Sequence, residues 1–162
     1  MIKKTIEVSL FLALIAVFQI FHLPQIITGI FVNSILIFIF LRLGLYYGVI
    51  SCILSPTLGM LTGFLSPALY FSVPVIIFGN IVFVLLYKYL KKHRFFIRFF
   101  IPQLVKALFI YIGALIFLKV FNFNVPPNFF VAFFSFIQII TAIFGTILAE
   151  FMFKKIGLVG IS

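Results

Sequence analysis

The sequence predicts an all-α integral membrane protein with about six transmembrane helices in one bundle. Hydrophobic residues make up 65% of the 162 residues and charged residues only 9%, whereas a soluble domain carries about 25% charged residues. The apolar residues fall in long runs, each long enough to form a helix that crosses a bilayer. Five of the twelve Lys and Arg residues lie in one short segment between two such runs, residues 88–98. These observations favour a membrane bundle over a soluble domain.

Turn-forming residues divide the first half of the chain into three predicted spans. The first covers residues 5–21 and ends before Pro24, and the second covers residues 25–41. Proline lacks the N–H group that a continuing helix needs, so Pro24 separates these two helices. The third predicted span covers residues 44–63 and carries Pro56 in its interior.

The second half of the chain supplies three more predicted spans. The fourth covers residues 68–89, is interrupted by Pro74 and leads into the basic segment. The fifth covers residues 99–120 and is followed by a turn with two prolines. The sixth covers residues 129–153 and ends before a pair of lysines. With no linker and no internal repeat, residues 1–162 form a single predicted transmembrane domain.

The basic residues predict the orientation of the bundle. Lys and Arg in short loops are retained on the cytoplasmic side of a membrane, so the 88–98 loop is predicted to lie inside. An even number of spans then places both termini inside, and Lys119 is the only basic residue on the outer side. The inner basic residues outside this loop are Lys3, Lys4, Arg42, Lys154 and Lys155.

The acidic residues exclude most enzymatic chemistry. Glu7 and Glu150 are the only two in the chain, and each is predicted to pair with a lysine one helical turn away, Lys3 or Lys154. This inventory provides no carboxylate pair, metal cluster or nucleophile–base set, and the sequence has no phosphate-binding glycine loop. We therefore expect no enzyme, cofactor or metal. The net charge is +10. We attribute it to basic residues at the ends of the spans, which set the orientation and contact anionic lipid headgroups, and nucleic acid is not expected as a partner.

Polar side chains at membrane depth identify a candidate substrate site. Asn33, Asn80 and Gln138 lie on three helices that enter from outside, each about 12–17 Å down at 1.5 Å per residue. Each amide either joins two helices by a hydrogen bond or contacts a ligand. Because several helices contribute at one depth, we predict a shared cavity in the outer half of the bundle, with Gln25 near its mouth and Tyr111 rising from the fifth helix.

Lys106 lies about 12 Å into the fifth span from its inner end. Three interpretations are open: the side chain extends back to the cytoplasmic interface, it pairs with Glu150, or it contacts an anionic group of a substrate. It is included among the predicted substrate-binding residues.

Small residues predict surfaces where helices pack closely. Ser9, Ala13 and Ala16 follow one face of the first helix at spacings i, i+4 and i+7, and Gly59 and Gly63 are spaced by four on the third. Small side chains let the backbones of membrane helices approach each other.

Several of these patterns resemble the substrate-binding S-components of energy-coupling factor (ECF) transporters. The chain has their size, their six predicted spans and both termini inside. The local patterns are Ser9-x-x-x-Ala13, where the family has Ala-x-x-x-Ala, Pro24-Gln25-Ile26-Ile27-Thr28-Gly29 with Val32-Asn33, then Ser55-Pro56 and Gly79-Asn80.

The resemblance implies a subunit of the bacterial cell membrane that captures a vitamin or vitamin precursor from outside. It implies a pocket closed by the first and third outer connections, and docking through Ser9, Ala13 and Ala16 onto a membrane coupling subunit. Two cytoplasmic ATPase subunits would supply the energy. The main alternative is a structural membrane scaffold of the MreD type, which needs no polar cavity. A secondary transporter is disfavoured because the chain has so few carboxylates.

Overall fold

The computed structural model describes residues 2–121 and 136–159, and these residues are helical apart from short connections. A short 3₁₀ helix, Pro67–Ser72, precedes the fourth α-helix. The six α-helices of the described part are α1 (Ile2–Ile20), α2 (Gln25–Leu43), α3 (Leu45–Leu61), α4 (Val73–Leu90), α5 (Phe95–Phe121) and α6 (Ile137–Val159).

Four of these segments are long and apolar enough to cross a membrane. They are Gln25–Leu43, Leu69–Leu90, Phe95–Val120 and Ile137–Ile156, with mean hydropathy between 1.5 and 2.4. Helix α3 is shorter, at 17 residues, and the first two turns of α1 carry Lys3, Lys4 and Glu7. The chain thus has the helical composition of a multi-pass membrane protein.

The helix boundaries follow the predicted turns with two differences. The predicted fourth span is divided: its first residues form the 3₁₀ helix, and α4 begins at Val73 with Pro74 in its first turn, where a missing N–H group breaks no hydrogen bond. Helix α5 begins at Phe95, earlier than the predicted start at residue 99. The predicted turn at residues 122–128 and the first residues of the predicted sixth span lie outside the described residues.

Helix α2 occupies the centre of the bundle. Every residue from Asn33 to Phe40 is buried, so this part of α2 is surrounded by protein rather than facing lipid on one side. Its most extensive neighbour is α6, and it also packs against α1, α3 and α4. Helix α5, by contrast, presents an exposed apolar stripe at helical spacing, which includes Leu104, Leu108 and Ile112.

Two glycines bring α2 and α6 close together. A Cβ atom on Gly145 would lie 2.7 Å from the Cβ atom of Asn33 and 2.8 Å from the Ile30 carbonyl oxygen. A Cβ atom on Gly29 would lie 2.8 Å from Cγ2 of Thr141. Larger residues would push the helices apart at both points, and this close approach brings the polar groups of α2 and α6 within hydrogen-bonding distance.

One end of the bundle is held by ion pairs between helices, and we call it the basic end. Arg42 Nε at the end of α2 lies 2.9 Å from Glu7 Oε2 near the start of α1. Arg98 Nη2 in the first turn of α5 lies 3.2 Å from Glu150 Oε2 on α6. The Tyr87 hydroxyl of α4 donates to Glu150 Oε1 at 2.6 Å. These contacts place the start of α1 and α5 and the end of α2 and α4 together.

The predicted pairings of Glu7 with Lys3 and of Glu150 with Lys154 are wrong. Each glutamate instead pairs with an arginine on another helix. The planar guanidinium group matches a carboxylate better than an ammonium group does, and folding brings each arginine within reach.

Candidate functional site

A cavity of about 90 Å³ lies among the helices, away from the basic end. All six α-helices and the α3–α4 connection contribute to its wall, which is mixed polar and apolar. Its lining residues are Gln19, Gln25, Thr28, Gly29, Val32, Asn33, Ser55, Pro56, Phe64, Leu65, Ile76, Asn80, Lys106 and Gln138.

Five of the six predicted substrate-binding residues line this cavity. They are Gln25, Asn33, Asn80, Lys106 and Gln138. The sequence argument gave only their depth in the membrane. The structure adds that they face one another around a shared space.

Tyr111, the sixth predicted residue, is not among the lining residues. It is half-buried and packs against a separate apolar cluster that includes Leu69, Val73 and Ile110. It follows Lys106 by five positions, which turns its side chain about 140° around α5 at 3.6 residues per turn. Depth alone does not determine which way a side chain faces, which is why Tyr111 was predicted at the cavity but does not line it.

The cavity wall includes a charged side chain, Lys106, which is only 2% exposed. Its ammonium nitrogen donates a hydrogen bond to Asn33 Oδ1 at 2.5 Å and lies 4.9 Å from the centre of the Phe83 ring. Two of the three interpretations of Lys106 are therefore wrong. The side chain does not extend to the cytoplasmic interface, and it does not pair with Glu150, which is held by Arg98 and Tyr87.

Asn33 connects Lys106 to α6. While its Oδ1 accepts from Lys106, its Nδ2 donates to Thr141 Oγ1 at 3.2 Å. The Thr141 hydroxyl in turn donates to the Gln138 carbonyl oxygen at 3.3 Å. One turn before Lys106, the buried Gln103 donates to Thr146 Oγ1 at 3.1 Å. Asn33 thus has a structural partner as well as a place in the cavity wall.

Gln19 is a cavity residue that sequence reasoning missed. Its Nε2 donates to the Ser55 carbonyl oxygen at 3.2 Å, and its Oε1 is buried with no hydrogen-bond donor among the described residues. A signal was present, because Gln19 follows Val8 and Ile15 on the one buried face of α1. A glutamine in phase with buried apolar residues indicates a polar site inside the bundle.

Asn80 and Gln138 present amides with both a donor and an acceptor. Neither side chain hydrogen-bonds to another described residue, and both line the cavity. Gly79 brings Asn80 close to α5, because a Cβ atom on Gly79 would lie 2.5 Å from Cγ1 of Ile110. These amides can contact a ligand without breaking an existing bond to those residues.

Two connections meet beside the cavity. His22, in the α1–α2 turn, adopts a left-handed backbone with φ +47°. Its Nδ1 lies 2.7 Å from the Ile20 carbonyl oxygen and its Nε2 lies 3.4 Å from the Gly63 carbonyl oxygen. Gln25 and Phe64 line the cavity beside this contact. The two connections together form a cover.

The predicted docking residues of α1 face away from the cavity. Ser9 and Ala13 are exposed and Ala16 is half-buried. They line a groove of about 240 Å³ between α1 and α3, together with Leu12, Leu54 and Leu58. The Ser9 hydroxyl donates to the Thr5 carbonyl oxygen at 3.0 Å. Its hydrogen bond is therefore made within α1, and the surface that it presents is small.

The two glycines of α3 have different roles. Gly59 is buried, and a Cβ atom there would lie 3.2 Å from Leu65 and 3.3 Å from Gln19. Gly63 has φ +73° and lies in the turn after α3. Only Gly59 is therefore a packing residue.

Comparison with protein-family models, curated proteins and solved structures finds no match to this chain. Within residues 2–121 and 136–159, no three His, Cys, Asp or Glu side chains are grouped so that they could hold a metal ion.

Proposed function

We propose that this chain is the substrate-binding subunit of an ECF-type importer of the bacterial cell membrane. In this proposal it captures a vitamin or similar micronutrient from outside. The observation that carries the proposal is the cavity, to which all six helices contribute. It is lined by five polar residues that were predicted to bind substrate, three of them at one depth. Polar groups at membrane depth are unfavourable unless they are satisfied, so their convergence favours a ligand site over separate helix contacts.

The proposed orientation has six spans, with both termini and the basic end inside. The cytoplasmic retention of Lys and Arg supports it, since Arg42, Arg98 and the residues of the 88–98 loop gather at the basic end. In this proposal, helices α1 and α3 complete the six spans by crossing beside the four segments that are long and apolar enough to cross a membrane. The cavity and its cover then face the outside, where a nutrient is captured.

The size of the cavity implies a closed state. Ligand pockets for drug-sized molecules usually measure about 300–1,000 Å³, and this cavity measures about 90 Å³. Binding a vitamin-sized molecule thus requires the α1–α2 turn and the α3–α4 connection to separate. The long contact of 3.4 Å between His22 Nε2 and the Gly63 carbonyl oxygen is the one that must open.

The uncovered groove of α1 supports the proposed docking step. We assign Ser9, Ala13 and Ala16 to the contact with a membrane coupling subunit, because small residues allow a second helix to approach closely. The sequence has no phosphate-binding glycine loop, so two ATPase subunits on the cytoplasmic side would supply the energy for release.

Identification of small molecules that remain bound to the purified protein tests this proposal. The protein, extracted in mild detergent, is denatured and the released molecules are identified by mass spectrometry. We expect one small polar molecule in the wild type and about 10- to 100-fold less in Asn80→Ala, because one side of a buried hydrogen bond is lost. The control is Phe78→Ala, which truncates an exposed side chain of the same helix.

A structural scaffold of the MreD type gives the opposite result. Such a protein needs no polar cavity and would retain no small molecule. If the wild type carries none, or if Asn80→Ala and Phe78→Ala carry as much as the wild type, the substrate-binding proposal is contradicted.

A further inference from the structure

We propose that the molecule bound in the cavity is a small organic anion whose negative group pairs with Lys106. The same molecule offers an N–H or O–H donor to Gln19. This inference rests on the proposed function and names the chemical class of the substrate.

The argument begins with a missing counter-ion. Lys106 is only 2% exposed, and a buried charge is normally paired with an opposite charge. The whole sequence has two acidic side chains. Glu7 is paired with Arg42 and Glu150 with Arg98, both at the basic end. The chain therefore has no acidic side chain left for Lys106, and a negative group on a bound molecule would supply the compensating charge.

The surroundings of Lys106 hold the ammonium group but do not neutralise it. Its ammonium group contacts the neutral Asn33 Oδ1 and the face of the Phe83 ring, and the buried Cys52 thiol lies near enough to interact with it electrostatically. A lysine ammonium group has three N–H donors, and Asn33 accepts one of them. Lys106 is also part of the cavity wall, so a negative group in the cavity can accept a remaining donor.

A buried amide oxygen in the cavity wall, which has no donor among the described residues, specifies the rest of the ligand. Gln19 is 3% exposed, its Nε2 is used by Ser55, and its Oε1 lacks a donor among the described residues. An amide oxygen accepts hydrogen bonds and does not bind an anion directly. The ligand therefore carries a donor group at a position separate from its negative group.

The apolar part of the wall favours an organic molecule over an inorganic ion. Phe64, Leu65 and Ile76 line the cavity beside the polar groups, and they gain most when they cover carbon atoms. A halide would leave Gln19 without a donor. A small carboxylate that carries a ring N–H or a hydroxyl group has a negative group for Lys106, a donor for Gln19 and carbon atoms for the apolar wall.

The test uses a defined mixture of organic carboxylates, each with a ring N–H or hydroxyl group, together with the matching primary carboxamides. Detergent-purified wild type, freed of bound molecules, is incubated with the mixture, and the retained compounds are quantified by mass spectrometry. We expect carboxylates to be retained and their carboxamides to be excluded. Lys106→Met should lower carboxylate retention by about 10- to 100-fold, because a hydrogen-bonded charge pair is lost.

Two controls keep the outcome clear. Lys119→Met makes the same change at an exposed position of α5 and should retain carboxylates as the wild type does. Thermal unfolding checks that Lys106→Met is folded, and the carboxylates should raise the unfolding temperature of the wild type but not of this variant.

The possible results distinguish the two proposals. Retention of carboxamides, or equal carboxylate retention by wild type and Lys106→Met, overturns the anion inference and leaves substrate binding in place. Retention of no compound by the wild type counts against both.

Discussion

At the scale of single residues, the cavity depends on the two sides of the Asn33 amide. Its oxygen accepts from Lys106 and its nitrogen donates to Thr141. Asn33 thus serves both as a contact between α2 and α6 and as the residue that holds Lys106 in the cavity. Of the two alternatives that the sequence left open for this amide, the helix contact is present in the structure, and the ligand contact belongs to the proposed function.

Asn33→Asp tests whether Lys106 lacks a counter-ion. The aspartate has nearly the same shape and would pair with Lys106 inside the protein, so the variant should be more stable than the wild type by about 2 kcal/mol. It should also lose carboxylate binding, because the charge of Lys106 is already compensated. Thermal unfolding in detergent and the carboxylate retention assay measure the two effects.

Asn33→Leu is the comparison for this change. It removes the acceptor of Lys106 and the donor to Thr141 and should lower stability by about 1–3 kcal/mol. Equal destabilisation by Asp and Leu at this position would mean that Lys106 carries no charge to be paired.

At the residue scale, the sequence predicted which side chains lie near one another where position along the helix was sufficient. Distance along a helix gives depth, and it placed Asn33, Asn80 and Gln138 at one cavity. Direction around the helix depends on how each helix is rotated in the bundle, and Tyr111 therefore faces elsewhere. The pairs formed by Glu7 and Glu150 also depend on tertiary packing, since each arginine partner lies far away in the sequence.

At the scale of elements, α1 has two distinct faces. Val8, Ile15 and Gln19 are buried against the bundle, whereas Ser9 and Ala13 are exposed beside the groove with α3. The sequence predicted the small-residue face of α1 from its spacing. It did not predict the polar residue at the cavity end of the buried face, because glutamine near a helix end is usually solvated.

Ala13→Trp tests the docking face. A bulky ring in the groove should block association with a coupling subunit and abolish uptake by cells, while the purified variant retains its small molecule. Co-purification with the coupling and ATPase subunits measures association. Leu14→Trp is the control, because it places the same ring on an exposed position of α1 outside the groove.

Loss of the bound molecule or of folded protein in Ala13→Trp would assign the groove to internal packing. Unchanged association would also contradict the docking assignment.

At the scale of the whole molecule, long apolar runs and the prolines in the turns between them were sufficient to predict the helices. Each described helix overlaps one predicted span. The tight packing of α2 against α6 was less visible in the sequence. It depends on Gly29 and Gly145 lying opposite Thr141 and Asn33, and the local sequence does not show which helix each glycine meets.

Labelling of single cysteines tests the proposed orientation. In a Cys52→Ala background, His93→Cys lies in the connection between α4 and α5, and Ser66→Cys lies in the exposed connection between α3 and α4. A thiol reagent that does not cross membranes should label Ser66→Cys in intact cells. It should label His93→Cys only after the cells are opened. Labelling of both from one side would contradict the arrangement.

Helix α1 carries Gln19 in the cavity wall and, about 15 Å away along its axis at 1.5 Å per residue, the exposed Ser9 of the groove. A helix of this length moves nearly as one body, so a molecule that fixed Gln19 would also bias the tilt at which Ser9 is presented to a docking partner. Thermodynamic linkage then works in both directions. Whatever factor an occupied cavity adds to the affinity for a coupling subunit, the bound coupling subunit adds the same factor to the affinity for the substrate. A coupling subunit that bound the empty state more tightly than the occupied state would therefore lower the affinity for the substrate and favour its release.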